Sequence, residues 1–154
     1  MELVDVLDER IINLNLQAKN KEDALNKMSN MLYEAGYIDN VDEFVKDIYF
    51  RESQGVTGIG NYVAIPHGKS DSVTQIGIAI GKLEEAIEWE TLDGKGVKLI
   101  FLFAVNNNHE YARNHMLLLA KIAGTLGDDN AIQELLSAKT PIEVKNVFCK
   151  KVPY

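Results

Sequence analysis

The sequence predicts a three-layer α/β/α sandwich with a mixed central sheet, and two observations support this. Short apolar or β-branched runs fill the middle of the chain, whereas helical apolar patterns lie before and after them. Helices on both sides of a buried sheet give three layers. The middle runs follow one another without a helix between them, so some strand pairs are expected to be antiparallel and the sheet to be mixed.

The first third of the chain predicts one strand and two helices. Residues 10–16 alternate between apolar and polar, as in a half-exposed strand. Asn20 is a suitable cap for the helix that follows, and Gly36 supplies its left-handed stop. A second helix is predicted from about Asp42 and carries Arg51 near its end. Its inward-facing residues are expected to be Phe44, Val45, Ile48 and Tyr49.

The middle third is predicted to form strands. The runs at residues 62–65, 75–82 and 97–105 are short and are separated by glycine and charged turns. The last of them is almost continuously apolar, which is typical of a strand covered on both faces. Residues 86–90 are predicted to add a short edge strand, with Asp93-Gly94 as a turn.

The last third is predicted to be helical. Residues 112–126 place His115 on one stripe with several leucine and isoleucine residues. A second helix is predicted over Asp129–Ser137. The segment Thr140-Pro141-Ile142-Glu143 is a capping box with proline at the first helical position, and it starts a last helix. His109 is expected to lie exposed in the loop before the first of these helices.

Composition limits the class of protein. A chain of 154 residues that is 46% apolar and 25% charged fits one globular domain, residues 1–154. The net charge of −7 disfavours nucleic-acid binding, which needs clustered lysine and arginine. The longest apolar run, residues 99–105, is far shorter than the roughly 20 residues of a membrane helix. With a single cysteine, Cys149, and no export signal, the chain is expected to be cytoplasmic, without direct membrane insertion.

The residues around His67 favour a reactive histidine. An apolar, strand-like run ends at Pro66, and Gly68 follows the imidazole. At neutral pH an ordinary imidazole is mostly uncharged and nucleophilic. A phosphoryl group on its nitrogen stays a reactive donor, so transfer between two such nitrogens needs positioning and charge compensation more than a driving force. A structural histidine at a turn fits the spacing equally well.

Three further residues could serve a phosphoryl group near His67. His115 could donate a hydrogen bond to it, although a histidine on an apolar helix stripe is more often a core residue. Arg51 could grip phosphate oxygens from a helix end. Alternatively, Arg51 is a surface charge that Glu52 neutralises. Backbone N–H groups around Gly68 are expected to meet the charge on the moving group.

Other chemistries find little support in the sequence. It has no His-Glu-x-x-His motif of a zinc protease and no Gly-x-Ser-x-Gly elbow of a hydrolase. Gly55, Gly58 and Gly60 match neither a P-loop nor a dinucleotide fingerprint, and they predict a flexible approach to the strand. The histidine phosphatases place arginine directly before their phosphorylated imidazole, where this chain has Pro66. Neither a metal nor another cofactor is expected.

A family resemblance rests on motifs in a fixed order. These are Arg51-Glu52, Thr57-Gly58-Ile59-Gly60 and Ala64-Ile65-Pro66-His67-Gly68, followed by the segment from His115 to Ala123. Together they resemble the fructose/mannitol-type IIA domain (EIIA type 2) of the bacterial sugar phosphotransferase system. The resemblance covers nearly the whole chain. It implies a mixed sheet flanked by helices, in agreement with the pattern of apolar runs.

The resemblance also implies an activity, that of a phosphotransferase component with a phosphohistidine intermediate. The resemblance implies that His67 accepts the phosphoryl group from the phosphohistidine of the carrier protein HPr. His67 then donates the group to a cysteine of a cognate EIIB component, which serves sugar uptake through the membrane component EIIC. His115 matches the second site histidine of the family, which hydrogen-bonds the phosphoryl group. Arg51 matches the arginine beside the site, and no metal is implied.

Two other classes of function compete with sugar transport. A regulatory module like the nitrogen-related IIA proteins would use the same histidine with a signalling output. A small metal-binding domain could use His67, His109 and His115, although no spacing supports it. Within the transport hypothesis, fructose, mannitol, galactitol and related substrates all fit, because the sugar contacts belong to EIIC.

Overall fold

The computed structural model describes residues 3–150, except for the side chains of residues 4, 109–115 and 150. Its helices are α1 (Leu3–Val6), α2 (Lys21–Glu34), α3 (Val41–Glu52), α4 (His109–Leu126), α5 (Asp129–Ser137) and α6 (Pro141–Lys150). Its strands are β1 (Ile12–Asn13), β2 (Gly58–Gly60), β3 (Val63–Ala64), β4 (His67–Lys69), β5 (Gly77–Ile87) and β6 (Val97–Val105). A 3₁₀ turn, Glu9–Ile11, leads into β1.

The strands form one sheet in the order β1-β5-β6-β3-β2, with β4 also paired to β6. The β5–β6 and β2–β3 pairs are antiparallel. The β1–β5, β3–β6 and β4–β6 pairs are parallel. The predicted mixed sheet is therefore confirmed. Its central strand β6 has the bounds that the apolar run predicts.

Helices cover the sheet on both faces. Alternate residues of a strand point to opposite sides. Phe101 and Phe103 accordingly belong to the core shared with α4, α5 and α6, whereas Ile100 and Leu102 belong to the core shared with α2 and α3. The Phe101 ring meets Phe148 of α6 edge-on, with 5.9 Å between the ring centroids. The three-layer α/β/α prediction is confirmed.

The caps that the sequence predicts define the helix ends. The Asn20 side chain accepts a hydrogen bond from the Asp23 N–H at 2.8 Å. Gly36, just after α2, has a φ of +84°. At the start of α6, the Thr140 hydroxyl accepts from the Glu143 N–H at 3.2 Å. Asn20 and Thr140 each satisfy an N–H group that the helix itself leaves unpaired.

The inward face of α3 is narrower than the sequence predicts. Phe44 and Ile48 are fully buried, as expected. Val45 is half-buried, and Tyr49 is 38% exposed. The narrow buried stripe leaves more of α3 facing solvent and the region around His67.

The predicted strand at residues 10–16 is wrong for most of its length. The Asp8 carboxylate accepts a hydrogen bond from the Arg10 N–H at 2.9 Å and caps the 3₁₀ turn. Side-chain capping of this kind competes with strand pairing. Only Ile12–Asn13 remains as strand.

The separate edge strand predicted at residues 86–90 is also wrong. Ala86 and Ile87 end the long strand β5, which continues past an irregularity in its pairing with β6 between Lys82 and Ile87. The turn at Asp93-Gly94 that follows is present, and Gly94 has a φ of +72°. The sequence of a bulged strand predicts two shorter strands, because the apolar alternation is broken at the bulge.

His109 is not in a loop, since α4 begins at this residue. The turn before it is closed by the Asn106 side chain, which accepts a hydrogen bond from the Asn108 N–H at 2.8 Å. The predicted exposure of the His109 side chain lies outside the described residues. No helix in the described part of the chain is long and apolar enough to cross a membrane.

Candidate active site

His67 lies on an edge strand that is in register with the centre of the sheet. Val63 pairs with Leu99 and His67 with Phe103, so β3 and β4 follow β6 with the same offset. Pro66 separates them, because proline has no N–H to add to the ladder and is tolerated at sheet edges. Its carbonyl still accepts from the Phe103 N–H at 3.0 Å. His67 therefore begins a fixed strand of its own, whereas the sequence predicts a strand that ends before it.

The imidazole of His67 is held against the sheet on one side and open on the other. The ring stacks on Phe103, with 5.2 Å between centroids and 13° between planes. Phe103 is 1% exposed, so this support cannot move far. Nδ1 of His67 is buried, whereas the residue as a whole is half-buried. The ring is thus fixed in place while part of it can be reached from outside.

Gly68 allows α3 to lie directly on the strand that carries His67. A Cβ at this position would be 2.3 Å from Cε1 and Cζ of Phe44, which is fully buried in α3. Any side chain at this position would force Phe44 or the strand to shift. In a parallel ladder with this register the Gly68 N–H points toward β6. The predicted contact of a phosphoryl group with backbone N–H groups around Gly68 stays a prediction. The close contact brings the last turns of α3 beside His67.

One cleft joins two of the predicted site residues. It has a volume of about 470 Å³, and both His67 and Arg51 line it. The α3 wall consists of Asp47, Phe50 and Arg51, which lie at positions i, i+3 and i+4 on one helix face, and Gln54 adds to it from the turn after α3. The other walls are His67 and Lys69 from β4, together with Val105 and Asn107.

Most of the residues around this cleft are not among the predicted site residues. The helical spacing of Asp47, Phe50 and Arg51 is visible in the sequence and could have identified the α3 wall. The period of two along a strand could have added Lys69, which lies two residues after His67. Phe50 is 66% exposed at the rim.

Arg51 is not neutralised by its neighbour. Its Nη1 donates to the Gly55 carbonyl at 3.3 Å. Glu52 instead pairs with Lys21 of α2, with 2.6 Å between Oε1 and Nζ. The interpretation of Arg51 as a surface charge neutralised by Glu52 is therefore wrong. The guanidinium lines the cleft.

The polar segment before α4 is fixed to the loop that follows β4. The Asn106 amide donates to the Val73 carbonyl at 2.7 Å. The Asn107 amide donates to the Asp71 carboxylate at 2.9 Å. These bonds set where α4 begins relative to His67. His115 lies within α4, but its side chain is outside the described residues, so the predicted contact with a phosphoryl group stays a prediction.

The predicted flexibility of the glycine segment is wrong for Gly58 and Gly60. Both are buried in strand β2. A Cβ on Gly58 would be 2.5 Å from the Glu90 carbonyl oxygen, and Gly60 has a φ of +94°. These glycines serve close backbone packing. Among the residues whose side chains are described, no group of three or more His, Cys, Asp or Glu side chains could hold a metal ion.

Comparison with known proteins finds one family model that matches most of the chain. The family model for the phosphoenolpyruvate-dependent sugar phosphotransferase system, EIIA 2, matches residues 5–151. The chain is 33% identical over 152 residues to the PTS system 2-O-alpha-mannosyl-D-glycerate-specific EIIABC component of Escherichia coli K12. That alignment covers 98% of this chain and 23% of the relative, so the chain spans less than a quarter of the relative's length.

Two solved structures share the fold. The nitrogen regulatory protein IIA-Ntr from Neisseria meningitidis superposes with a TM-score of 0.85 at 27% identity, covering 96% of this chain and 99% of that one. Enzyme IIAMTL of Escherichia coli, in its complex with phosphorylated enzyme IIBMTL, superposes with a TM-score of 0.77 at 22% identity. The coverage in that case is 94% of this chain and 97% of the other.

Proposed function

We propose that His67 carries the phosphoryl group. The premise is that the chain belongs to the EIIA type-2 family of the phosphoenolpyruvate-dependent sugar phosphotransferase system. In this proposal His67 accepts the group from phospho-HPr and donates it to a cysteine of a cognate EIIB component. The support for a EIIB partner is the structural relative that forms a complex with phosphorylated enzyme IIBMTL. The chain thus acts as a phosphotransferase component in a relay between two proteins.

The observation that carries this proposal is the placement of His67 in one cleft with Arg51. Because Nδ1 is buried, we infer that Nε2 is the nitrogen that accepts phosphorus. Stacking on Phe103 holds the ring in one orientation for an incoming donor. The acceptor therefore needs little rearrangement before it reacts.

The transfer itself exchanges one nitrogen–phosphorus bond for another. The lone pair on Nε2 of His67 attacks phosphorus in line while the bond to the HPr imidazole breaks, and the electron pair of that bond leaves with the HPr nitrogen. Each ring keeps a proton on its other nitrogen, so no separate base is required. In the second transfer a thiolate of EIIB attacks the same phosphorus, and His67 leaves as neutral imidazole.

Positive charge in the cleft compensates the phosphoryl group. A phosphoryl group adds about −1.5 to −2 of charge near neutral pH. Arg51 and Lys69 both line the cleft, and Asp47 is the acidic side chain among its lining residues. We propose that Arg51 meets the phosphoryl oxygens with its planar array of donors. We further propose, from the family resemblance, that His115 donates to the group and helps to orient His67.

The wider assignments follow from the same premise. We propose that residues 1–154 form one EIIA domain that works in the cytoplasm, with EIIC as an indirect membrane partner and without nucleic acid. A regulatory role is the second candidate, and the TM-score of 0.85 with the nitrogen regulatory protein favours it. Both candidates need the same phosphohistidine, so acceptance by EIIB distinguishes them.

The test is a relay assay with purified components. The wild-type chain is incubated with phospho-HPr, and the bound phosphoryl group is followed by intact-protein mass spectrometry. His67→Ala should remain unlabelled because its acceptor atom is gone, whereas the matched control His109→Ala should label like wild type. EIIB with an intact cysteine should then remove the label, and EIIB with that cysteine replaced by serine should not.

Three outcomes would count against parts of the proposal. An unlabelled wild-type chain would refute the phosphocarrier function. Full labelling of His67→Ala would refute the assigned residue. Normal labelling without transfer to any EIIB that is tested would favour the regulatory role.

A further inference from the structure

The residue after Arg51 forms an ion pair in a largely buried place. Glu52 is the last residue of α3, and its side chain is only 7% exposed. Its Oε1 lies 2.6 Å from Nζ of Lys21, whose side chain is 17% exposed. Within the described part of the chain, Oε2 of Glu52 is buried without a hydrogen-bond partner. A carboxylate in such a place is costly unless its charge is paired, so the contact with Lys21 stabilises Glu52 at the end of α3.

Local helix preferences do not explain either member of this pair. Lys21 is the first residue of α2, and Glu52 is the last residue of α3. A helix N-terminus disfavours a positive charge and a helix C-terminus disfavours a negative one. Both residues therefore carry the sign of charge that their own helix end disfavours. A sequence that breaks local rules in this way often does so for function.

Lys21 also reaches the segment that leads to His67. Its Nζ lies 4.9 Å from the ring centroid of Trp89. The indole N–H of Trp89 donates to the hydroxyl of Thr57 at 3.4 Å. The Thr57 carbonyl in turn accepts from the N–H of Ile65 at 2.9 Å, two residues before His67. One lysine is therefore connected to both walls of the cleft.

We propose that Lys21 and Glu52 are positioning residues for phosphoryl transfer, and that they act through Arg51. Their ion pair holds the last turn of α3 in the conformation that directs the Arg51 guanidinium into the cleft. The contact of Lys21 with Trp89 ties this turn to the segment before His67. Helix ends fray when nothing holds them. The inference rests on the proposed function, since it concerns the same site.

The primary test compares two carboxylates that pair with the same lysine. Glu52→Gln keeps the shape of the side chain and removes its charge. Glu90→Gln removes the other partner of Lys21, at 3.1 Å, whose side chain is 73% exposed. Misplacing a catalytic group by about 1 Å can slow a reaction by about 100-fold. We expect Glu52→Gln to slow labelling by phospho-HPr at least tenfold and Glu90→Gln to stay within twofold of wild type.

A double-mutant cycle tests whether the effect passes through Arg51. If it does, Glu52→Gln should slow Arg51→Ala no further, because there is no guanidinium left to position. If the rate reductions of the two single variants multiply in the double variant, the proposal is overturned, since Glu52 would then act by another route. Equal rates for Glu52→Gln and wild type would overturn it as well.

Folding and function are controlled separately. If circular dichroism shows that Glu52→Gln is unfolded, Lys21→Met is tested in its place. Lys21→Arg should keep the wild-type rate of labelling by phospho-HPr, because the positive charge is kept. The Arg51 Nε–H signal in NMR gives a readout that needs no donor protein. It should broaden or shift in Glu52→Gln and not in Glu90→Gln. An unlabelled wild-type chain would refute the function alone, whereas an unchanged Arg51 signal in Glu52→Gln would refute the positioning role.

Discussion

Replacing Gly68 by alanine tests how closely α3 must approach the strand that carries His67. The added Cβ would lie 2.3 Å from two ring carbons of Phe44. Carbon atoms in contact prefer roughly 3.5–4.0 Å, so the ring or the strand must shift by more than about 1 Å. Phe44 is fully buried. Overpacking of this kind typically costs about 1–3 kcal/mol.

The matched control adds the same methyl group where there is room. Gly124 lies exposed in α4, and a Cβ there would meet nothing within 4 Å. Because alanine is the better helix former, Gly124→Ala should stabilise the chain by about 0.5–1 kcal/mol. Gly68→Ala should destabilise it by about 1–3 kcal/mol. Both values can be measured as free energies of unfolding from urea titrations followed by circular dichroism.

A second substitution shows whether the clash with Phe44 is the cause. Phe44→Leu removes the ring atoms that the new methyl group would meet. The double variant with Gly68→Ala should then lose less stability than the two single variants added together. Strict additivity, or a Gly68→Ala variant as stable as wild type, would refute the packing argument. It would also remove the reason for which α3 lies so close to His67.

The remaining predictions concern charge and the relay. Arg51→Ala should slow labelling by phospho-HPr about 100-fold, as loss of a positioned donor does elsewhere, and an unchanged rate constant would contradict its role. His115→Ala should still accept the group but pass it to EIIB more slowly, so donation at the wild-type rate would count against it. Hydrogen bonding to Arg10 lowers the pKa of Asp8 from 3.8 to about 2. That stabilisation is present above pH 4 and lost as the pH falls through about 2. Asp8→Asn should therefore be about 1 kcal/mol less stable than wild type at pH 7, where solvent screening keeps the difference small. Below pH 2 the two proteins should be equally stable. A difference in stability that persists in acid would argue against the Asp8 carboxylate as its cause.

The helices were predictable where a side chain marks their ends. Asn20 and Thr140 cap backbone N–H groups within a few residues, so the sequence carries the complete signal. The central strand β6 was predictable because it is apolar on both faces. These features depend on local chemistry or on burial alone.

Other parts of the fold depend on contacts between distant residues. The sequence does not show that Asp8 turns residues 9–11 into a 3₁₀ turn, or that β5 continues through a bulge to Ile87. Gly58 and Gly60 look like a flexible segment, because the backbone of Glu90 that fills the space beside Gly58 lies far away in sequence. Pro66 suggests the end of a strand, but pairing with β6 resumes directly after it.

The site was predictable in part. Residue chemistry and the family resemblance identified His67 and Arg51, and the structure places both in one cleft. The partner of Glu52 could not be foreseen, because Lys21 lies on another helix. Nothing in the sequence shows which nitrogen of His67 is buried, since that depends on how the ring stacks on Phe103.

We propose that His67 carries phosphorus on its outward-facing nitrogen. Long-range proton–nitrogen NMR of the histidine rings, before and after phosphorylation by phospho-HPr, identifies both the residue and the atom. We expect a new nitrogen–phosphorus bond at Nε2 of His67. A phosphoryl group on His109, on His115 or on Nδ1 of His67 would contradict it.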